Sequence, residues 1–277
     1  MGARTASGGG PGNPSLGALA ALLEDPPHSA VLTDFDGTLA PIVPDPDTAQ
    51  PLPGAPAVLA ALAQRFGVVG VASGRPVSFL AERLAAAGPS VRLFGVYGME
   101  WIEDGEVRTA PEVDQWRPAA AEVVGAAQAE FGGSAVGIED KGGSVTIHWR
   151  GAPEAGARVR AFATTWAPRT GMALVSGRMA IEFRPPVGAD KGTVVERLAR
   201  GCAAACFVGD DVGDLAAFAA LDRLAAEGTT AVRVAVIDDE SPPELVTAAD
   251  LVVRGPAEAL ALLAQLAVSD EEQRPER

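Results

Sequence analysis

The chain has 277 residues, of which 48% are hydrophobic, and its formal net charge is −14. This length suits one large domain, or a core domain with a smaller domain inserted into it. The acidic balance argues against nucleic acid and anionic membranes as partners, because both require a basic protein face. A small anionic substrate stays compatible with this charge if a metal and a few cations reverse the field locally.

The two ends of the chain differ in composition from the rest. Residues 1–16 are rich in Gly, Pro and small polar types and are predicted to form a disordered tail, and residues 268–277 a charged tail. The sequence has neither the apolar core of a secretory signal nor a run of about 18 apolar residues. We therefore expect a cytoplasmic protein with no membrane segment. Cys202 and Cys206 have no His nearby, so they are predicted to be packing residues in a reducing compartment.

The first predicted strand, residues 30–33, is apolar and ends at two aspartates, Asp34 and Asp36. Gly37 then allows a sharp turn. Two carboxylates this close repel each other, and a hard divalent cation such as Mg²⁺ would relieve the repulsion. Taken alone, the motif also fits a pair of solvated loop aspartates. The hydroxyl of Thr38 is predicted either to hold an aspartate in place or to cap a helix.

Similar short apolar runs recur along the chain and alternate with helical stretches such as residues 54–66, 77–87 and 193–200. Apolar strands that alternate with helices predict an α/β fold, here a Rossmann-like parallel sheet covered by helices on both faces. Ligands bind beyond the carboxyl ends of the strands in such sheets. Ser73-Gly74-Arg75 and Gly209-Asp210-Asp211 both follow apolar runs, so we expect them to meet Asp34 and Asp36 there.

The middle of the chain follows another pattern. A helix at 116–131 precedes two strands at 135–138 and 144–149, and a second helix at 154–166 precedes strand-like runs at 172–176 and 179–185. This order predicts an α+β module and not a continuation of the parallel sheet. We therefore predict an α/β core at 17–111 and 187–267, with a smaller α+β cap inserted at 112–186.

The polar motifs carry a resemblance to known proteins. Asp34-Phe35-Asp36-Gly37-Thr38, Ser73-Gly74-Arg75, Lys191-Gly192 and Gly209-Asp210-Asp211 with Asp214 resemble, in order, the four motifs of the haloacid dehalogenase superfamily of phosphatases. The segments SGRPVSFL, GVYGME, IEDKGGSVTIHWR, IEFRPPVGADKG and AADLVVRGPAEALALLAQL are similar to the trehalose-6-phosphate phosphatase family. The resemblance implies Mg²⁺-dependent hydrolysis of trehalose 6-phosphate. The chain departs from the family at Gly213-Asp214-Leu215, where Thr-Asp-Glu is usual, and this puts the outer shell of the metal in question.

Each motif can be given a chemical role. A carboxylate nucleophile divides phosphate-ester hydrolysis into two easier steps, and we predict that Asp34 is this nucleophile. Asp36 is predicted to act as general acid and then as base, which requires neighbouring carboxylates to favour its protonated form. Ser73 is predicted to contact the phosphate, with capping of the next helix as the alternative. Lys191 precedes a predicted helix, where its charge opposes the macrodipole, so it is predicted to face an anion.

The resemblance also implies the ligands of the metal and the sugar. Mg²⁺ would be held by Asp34, the backbone carbonyl of Asp36 and Asp210, with Asp211 and Asp214 as outer or alternative ligands. The residues predicted to bind the substrate are Arg75, Glu100, Glu139, Lys141, Arg150, Glu182 and Arg184. An ordinary charged face of an outer sheet is the alternative for the cap members of this set, to which His148 and Arg178 add charge. Trp149 is expected to pack inside the cap.

Several functions stay open at this stage. The leading hypothesis is a phosphatase acting on trehalose 6-phosphate, a small-molecule sugar phosphate. Sucrose 6-phosphate or a mannosyl- or glucosyl-phosphoglycerate would require the same chemistry on another sugar. A catalytically silent sugar-phosphate sensor is the alternative of a different class, supported only by Gly213 and Leu215, and a phosphotransferase is a minor one. The sequence leaves the oligomeric state open, a monomer included.

Overall fold

A computed structural model of the chain describes residues 19–43, 45–177, 179–239 and 241–268. The predicted tail at 1–16, all but the first residue of the predicted tail at 268–277, and the predicted cap residue Arg178 lie outside these described residues. Within them the strands form two separate sheets, one of eight strands and one of four. No helix in this part of the chain is both long enough and apolar enough to cross a lipid bilayer.

The larger sheet is mostly parallel. Its strands are β1 (Ser29–Thr33), β2 (Val68–Ala72), β3 (Val91–Gly95), β4 (Glu100–Glu103), β5 (Glu106–Thr109), β10 (Ala204–Gly209), β11 (Thr230–Ile237) and β12 (Leu251–Arg254). Their order is β12-β11-β10-β1-β2-β3-β4-β5, in which the first six are parallel and the last two form an antiparallel hairpin at the edge. The predicted parallel α/β core is confirmed, and the hairpin is an addition that the sequence pattern did not predict.

Helices cover both faces of this sheet. They are α1 (Ala20–Glu24), α2 (Ala55–Arg65), α3 (Val77–Arg83), α7 (Lys191–Ala199), α8 (Leu215–Ala226), α9 (Pro243–Ala248) and α10 (Gly255–Ala267). Val31 of β1 packs with α1, α2, α3 and α10, whereas Leu32 packs with α7, α8 and α9. Successive side chains of a strand point to opposite faces, so a central strand between two helix layers must be apolar throughout. This explains the unbroken apolar runs of the sequence.

The smaller sheet is antiparallel and lies within the predicted cap. Its strands are β6 (Gly137–Asp140), β7 (Val145–His148), β8 (Ala173–Gly177) and β9 (Ala180–Arg184), in the order β6-β7-β9-β8. The helices of this segment are α4 (Pro111–Asp114), α5 (Arg117–Phe131) and α6 (Gly156–Thr170). Val145 and Ile147 pack with α5 and α6, as does Trp149, which confirms its packing role. The opposite face of β7 carries Thr146, and the division of the chain at 112 and 186 stays a prediction.

Candidate active site

Asp34 follows β1 directly and is buried at the carboxyl edge of the larger sheet. Its backbone N–H donates to the carbonyl of Val208 in β10 at 2.8 Å, which fixes the end of the strand. The turn that follows requires glycine, because Gly37 has φ of +78° and a Cβ there would lie 2.0 Å from Oδ2 of Asp210. The hydroxyl of Thr38 donates to Asp210 at 3.3 Å, so Thr38 holds an aspartate and does not cap a helix.

Lys191 joins the two strand-end motifs. It is the first residue of α7, and its Nζ lies 2.9 Å from Oδ2 of Asp34 and 2.6 Å from Oδ1 of Asp214. The other oxygen of Asp214 accepts the backbone N–H groups of Asp210 at 2.8 Å and Asp211 at 3.0 Å. Lys191, Asp34 and Asp214 are all buried. Asp214 therefore shapes the loop and orients the ammonium.

The carboxylates at this edge are crowded, and their acidity reflects it. Burial raises the pKa of Asp34 well above its usual range; Lys191 opposes the shift, and Asp214 and Asp211 add to it. Burial and then the charge of Asp34 raise the pKa of Asp210 well above its usual range. Burial raises the pKa of Asp214 to about 6, against the opposing effect of Lys191. The pKa of Lys191 is itself raised, because the surrounding carboxylates outweigh the effect of burial.

This donor set fits a hard divalent cation. Oxygens of Asp34, Asp211 and Asp214 lie within 4.8 Å of one another, and the carboxylate of Asp210 lies against the adjoining turn. An all-oxygen set with excess negative charge is the kind of site that Mg²⁺ occupies in proteins. Because Asp214 already accepts three hydrogen bonds, Asp34, Asp210 and Asp211 have the freer oxygens. The structure thus brings four of the five predicted metal residues together by their carboxylates.

The carboxylate of Asp36 points elsewhere. Arg75 binds it with both ends of the guanidinium, Nε to Oδ2 at 2.8 Å and Nη2 to Oδ1 at 2.9 Å. The ring of Phe79 lies against the same guanidinium, with its centroid 4.8 Å from Cζ. The partner of Asp36 in the structure is therefore a cation, where the sequence predicted neighbouring carboxylates. Arg75 lies in the short loop between the carboxyl end of β2 and the start of α3.

The loop from Ser73 to Pro76 lies beside Asp34 and precedes α3. The Ser73 hydroxyl is buried and accepts the backbone N–H of Arg75 at 3.2 Å, so it stabilises this loop and not the helix. The first free amide of the helix, that of Val77, is bound by the carboxylate of Glu100 at 2.9 Å. Glu100, which was predicted to bind the substrate, therefore binds the start of helix α3 in the structure.

The cap presents a cluster of charges on one face of its sheet. Glu139, Thr146 and Glu182 lie side by side on three adjacent strands. Lys141 Nζ is 3.4 Å from Glu182 and 3.9 Å from Glu139, and Arg184 Nη2 is 2.9 Å from Glu182. Ser144 also donates to Glu182, and His148 lies 3.2 Å from Glu139. Lys141 and Glu182 are buried, which makes this cluster unlike an ordinary solvated sheet face.

Two features of this region were missed by the reasoning from sequence. Tyr97 contacts both the Ser73 loop and the cap cations, and the hydroxyl of Thr146 is buried with no partner among the described residues. Tyr97 stood within the segment GVYGME, whose two glycines were a signal of an unusual backbone. Arg150, by contrast, lies in the turn after β7 and makes no hydrogen bond or ion pair within the described part of the chain.

Comparisons with known proteins agree with this architecture. The profile of the family described as Trehalose-phosphatase matches residues 32–250. A trehalose-phosphate phosphatase of Mycolicibacterium paratuberculosis is 36% identical over 208 residues, which are 70% of this chain and 51% of that protein. A probable trehalose-phosphate phosphatase of Sinorhizobium fredii is 32% identical over 214 residues, covering 74% of this chain and 78% of that protein.

The likeness extends to solved structures. The structure of the Aspergillus fumigatus trehalose-6-phosphate phosphatase superposes with a TM-score of 0.60 at 26% identity, over 92% of this chain and 99% of that one. The chain spans about half the length of the Mycolicibacterium relative that it matches. The family profile nevertheless covers most of the chain, including the strand-end motifs and the charged cap strands. The chain therefore belongs to the trehalose-phosphatase family.

Proposed function

We propose that this protein is a divalent-cation-dependent phosphatase that hydrolyses trehalose 6-phosphate to trehalose and phosphate. The observation that carries the proposal is the buried contact of Lys191 with Asp34 at the sheet edge. Burying a pair of charged side chains is generally less favourable than burying apolar side chains of similar size. A buried carboxylate that is paired with an ammonium and lies beside further carboxylates therefore indicates a functional site. The membership of the family supports trehalose 6-phosphate as the substrate. A cytoplasmic location is part of the same proposal.

The first chemical step belongs to Asp34. One of its carboxylate oxygens attacks phosphorus, the bond from phosphorus to the sugar oxygen breaks, and an aspartyl phosphate forms. Asp36, which takes up a proton from solvent once it has left Arg75, donates that proton to the departing sugar oxygen. For this the carboxyl must leave Arg75, so the ion pair has to open when the substrate phosphate arrives. Arg75 can then bind a phosphate oxygen, because its guanidinium no longer has the carboxylate of Asp36 as its partner.

The second step regenerates the protein. Asp36, now a carboxylate, takes a proton from water, and the oxygen of that water attacks phosphorus and releases phosphate from Asp34. The ammonium of Lys191 and the backbone N–H of Gly74 stabilise the charge on the transferring phosphoryl oxygens. Mg²⁺ held by Asp34, Asp210 and Asp211 would supply further positive charge at these oxygens. The hydroxyl and backbone of Ser73 keep the loop in place.

The leaving sugar is assigned to the cap cluster. Carboxylates, an ammonium and a guanidinium form stronger hydrogen bonds with sugar hydroxyls than neutral groups do. Glu139, Lys141, Glu182 and Arg184 are linked by ion pairs in the structure, so a disaccharide would exchange some of these contacts for bonds to its hydroxyls. A sugar whose many hydroxyls match the positions of these charged groups would therefore bind more tightly than one with fewer hydroxyls. This difference in binding gives a physical basis for discrimination among phosphate esters.

A substrate panel tests this proposal. Phosphate release is measured for trehalose 6-phosphate, sucrose 6-phosphate, glucosyl-phosphoglycerate and glucose 6-phosphate, with Mg²⁺ and with a chelator, beside the Asp34→Asn variant. We expect release from trehalose 6-phosphate far above that from glucose 6-phosphate, dependent on Mg²⁺ and absent in the variant. Equal turnover of all four esters would contradict the assignment to trehalose. Equal inactivity of the wild type and the variant would favour the sensor.

A further inference from the structure

The loop between β3 and β4 has an unusual backbone. Val96 and Tyr97 have φ of +47° and +58°, values in the left-handed region that residues other than glycine seldom adopt. Two hydrogen bonds hold the loop against the Ser73 loop: Val96 N–H donates to the carbonyl of Arg75 at 2.8 Å, and Tyr97 N–H to that of Ser73 at 2.9 Å. Non-glycine residues in this region persist where the surrounding structure requires them, and they cluster at functional sites.

The hydroxyl end of the Tyr97 ring packs against the Ser73 loop at Gly74. A Cβ placed on Gly74 would lie 2.7 Å from both Cζ and the hydroxyl oxygen of Tyr97, so the ring fits only because residue 74 has no side chain. The hydroxyl makes no hydrogen bond with any described residue. The ring is therefore fixed by the loop that borders the phosphate site, and its position follows that loop.

The same ring contacts two cations of the cap. Arg184 Cζ lies 3.5 Å from the ring centroid and Lys141 Nζ lies 5.7 Å from it. Both distances are within the range of attraction between a cation and an aromatic face, and the attraction is larger where water is excluded. Arg184 Nε is buried and has no hydrogen-bond partner among the described residues. The guanidinium is held by the ring of Tyr97 and by Glu182, which accepts a hydrogen bond from Nη2 at 2.9 Å.

We propose that Tyr97 is a positioning residue that sets substrate discrimination, because its ring holds Arg184 and Lys141 over the phosphate loop. The inference rests on the proposed function, and it assigns a role in substrate specificity to a residue that lies outside the cap, beside the larger sheet. The ring attracts both cations through its face and accepts no hydrogen bond from them, so it does not occupy N–H groups that could bind sugar hydroxyls. The cap cations can therefore turn toward sugar hydroxyls while they keep their distance from the phosphate. A ligand without a sugar makes no use of this arrangement.

Three variants test the inference. Tyr97→Leu removes the ring, Tyr97→Phe keeps it, and Trp166→Leu removes a ring whose centroid lies 4.1 Å from Arg169 Cζ on the cap helix α6. For Tyr97→Leu we expect KM for trehalose 6-phosphate to rise about 10-fold, with a loss of at most about two-fold in kcat/KM for phenyl phosphate, as the attraction of a desolvated cation to a ring predicts. Tyr97→Phe should recover most of the discrimination, and Trp166→Leu should keep it.

Other outcomes would overturn the inference. Equal losses toward both substrates in Tyr97→Leu would show that the ring only supports the phosphate loop, and a loss in Tyr97→Phe equal to that in Tyr97→Leu would assign the effect to the hydroxyl. Amide hydrogen exchange of segments 139–146 and 180–184 in ligand-free protein gives a readout that needs no turnover. Faster exchange in Tyr97→Leu alone supports the inference even if the wild type rejects trehalose 6-phosphate, and unchanged exchange contradicts it.

Discussion

Replacement of Lys191 by methionine should destabilise the metal-free protein strongly. Its ammonium lies 2.6 Å from Asp214 and 2.9 Å from Asp34, and all three side chains are buried. Methionine fills a similar volume but leaves two buried carboxylates facing each other without a cation. Breaking a buried ion pair by removing one partner costs about 3–5 kcal/mol. At about 2 °C for each kcal/mol in a chain of this size, Tm should fall by at least about 6 °C.

The assay is urea and thermal unfolding with chelator present, and two further variants isolate the cause. The double variant Lys191→Met/Asp214→Asn should recover a large part of the loss, because one of the two uncompensated charges is gone. Arg200→Met removes an exposed cation that lies 3.3 Å from Glu227 and should cost less than about 1 kcal/mol. The reasoning is refuted if Lys191→Met unfolds within about 1 kcal/mol of the wild type, because Lys191 would then not be what compensates these carboxylates.

Three shorter predictions follow from the same contacts. Thr146→Val should raise the free energy of unfolding of the ligand-free protein by about 1 kcal/mol, because it removes a buried hydroxyl without a partner among the described residues. A lower free energy of unfolding, measured with urea, would contradict this. Burial opposes ionisation of Glu182, but Lys141 and a neighbouring guanidinium outweigh it and lower its pKa below the usual 4.5. The stability that ionised Glu182 contributes is thus present above pH 4.5 and lost below it. Glu182→Gln should therefore lower the free energy of unfolding by about 3 kcal/mol at neutral pH and by less in acid. An equal loss of stability at every pH in a series of urea unfolding curves would contradict the pairing. Gly37→Ala should abolish Mg²⁺-dependent phosphate release, since the new Cβ would lie 2.0 Å from Asp210 in a backbone with φ of +78°, and retained activity would show that the turn adapts.

The core fold was accessible from sequence because its signals are local. Apolar runs that end in aspartates, alternating with helices, specify parallel strands buried on both faces, and the carboxyl ends of such strands necessarily meet. The pattern alone therefore predicts that Asp34, Ser73 and Asp210 lie at one edge of the sheet. The hairpin β4–β5 was not predicted, because its strands are half exposed at a sheet edge and lack an unbroken apolar run.

The side-chain contacts of the site were less accessible. The pairs Asp36–Arg75 and Glu100–Val77 join residues 39 and 23 positions apart, and nothing in the local pattern around any of them specifies the partner. Tyr97 is a similar case, since its role depends on the approach of a sheet that lies much later in the chain. Distances of this kind follow from packing of whole elements, which the sequence determines only collectively.

Both lysines of the chain, Lys141 and Lys191, are buried in the two charge clusters that we assign to the sugar and to the phosphate. All other basic side chains except histidine are arginines. An ammonium concentrates its charge at one atom, so it suits a point contact with a carboxylate or a phosphate oxygen. Because both lysines are buried, an amine-selective reagent should react slowly with either one in the folded protein, and bound phosphate with Mg²⁺ should slow the reaction further at Lys191 only.

The central claim is that Asp34 receives the phosphoryl group. It is tested most directly by acid-quenching the protein within milliseconds of mixing with trehalose 6-phosphate and Mg²⁺, followed by mass spectrometry of its peptides. We predict a transient phosphoryl group on Asp34 that appears before free phosphate accumulates and is absent in Asp34→Asn. Steady release of phosphate with an unmodified Asp34 at every quench time would contradict it.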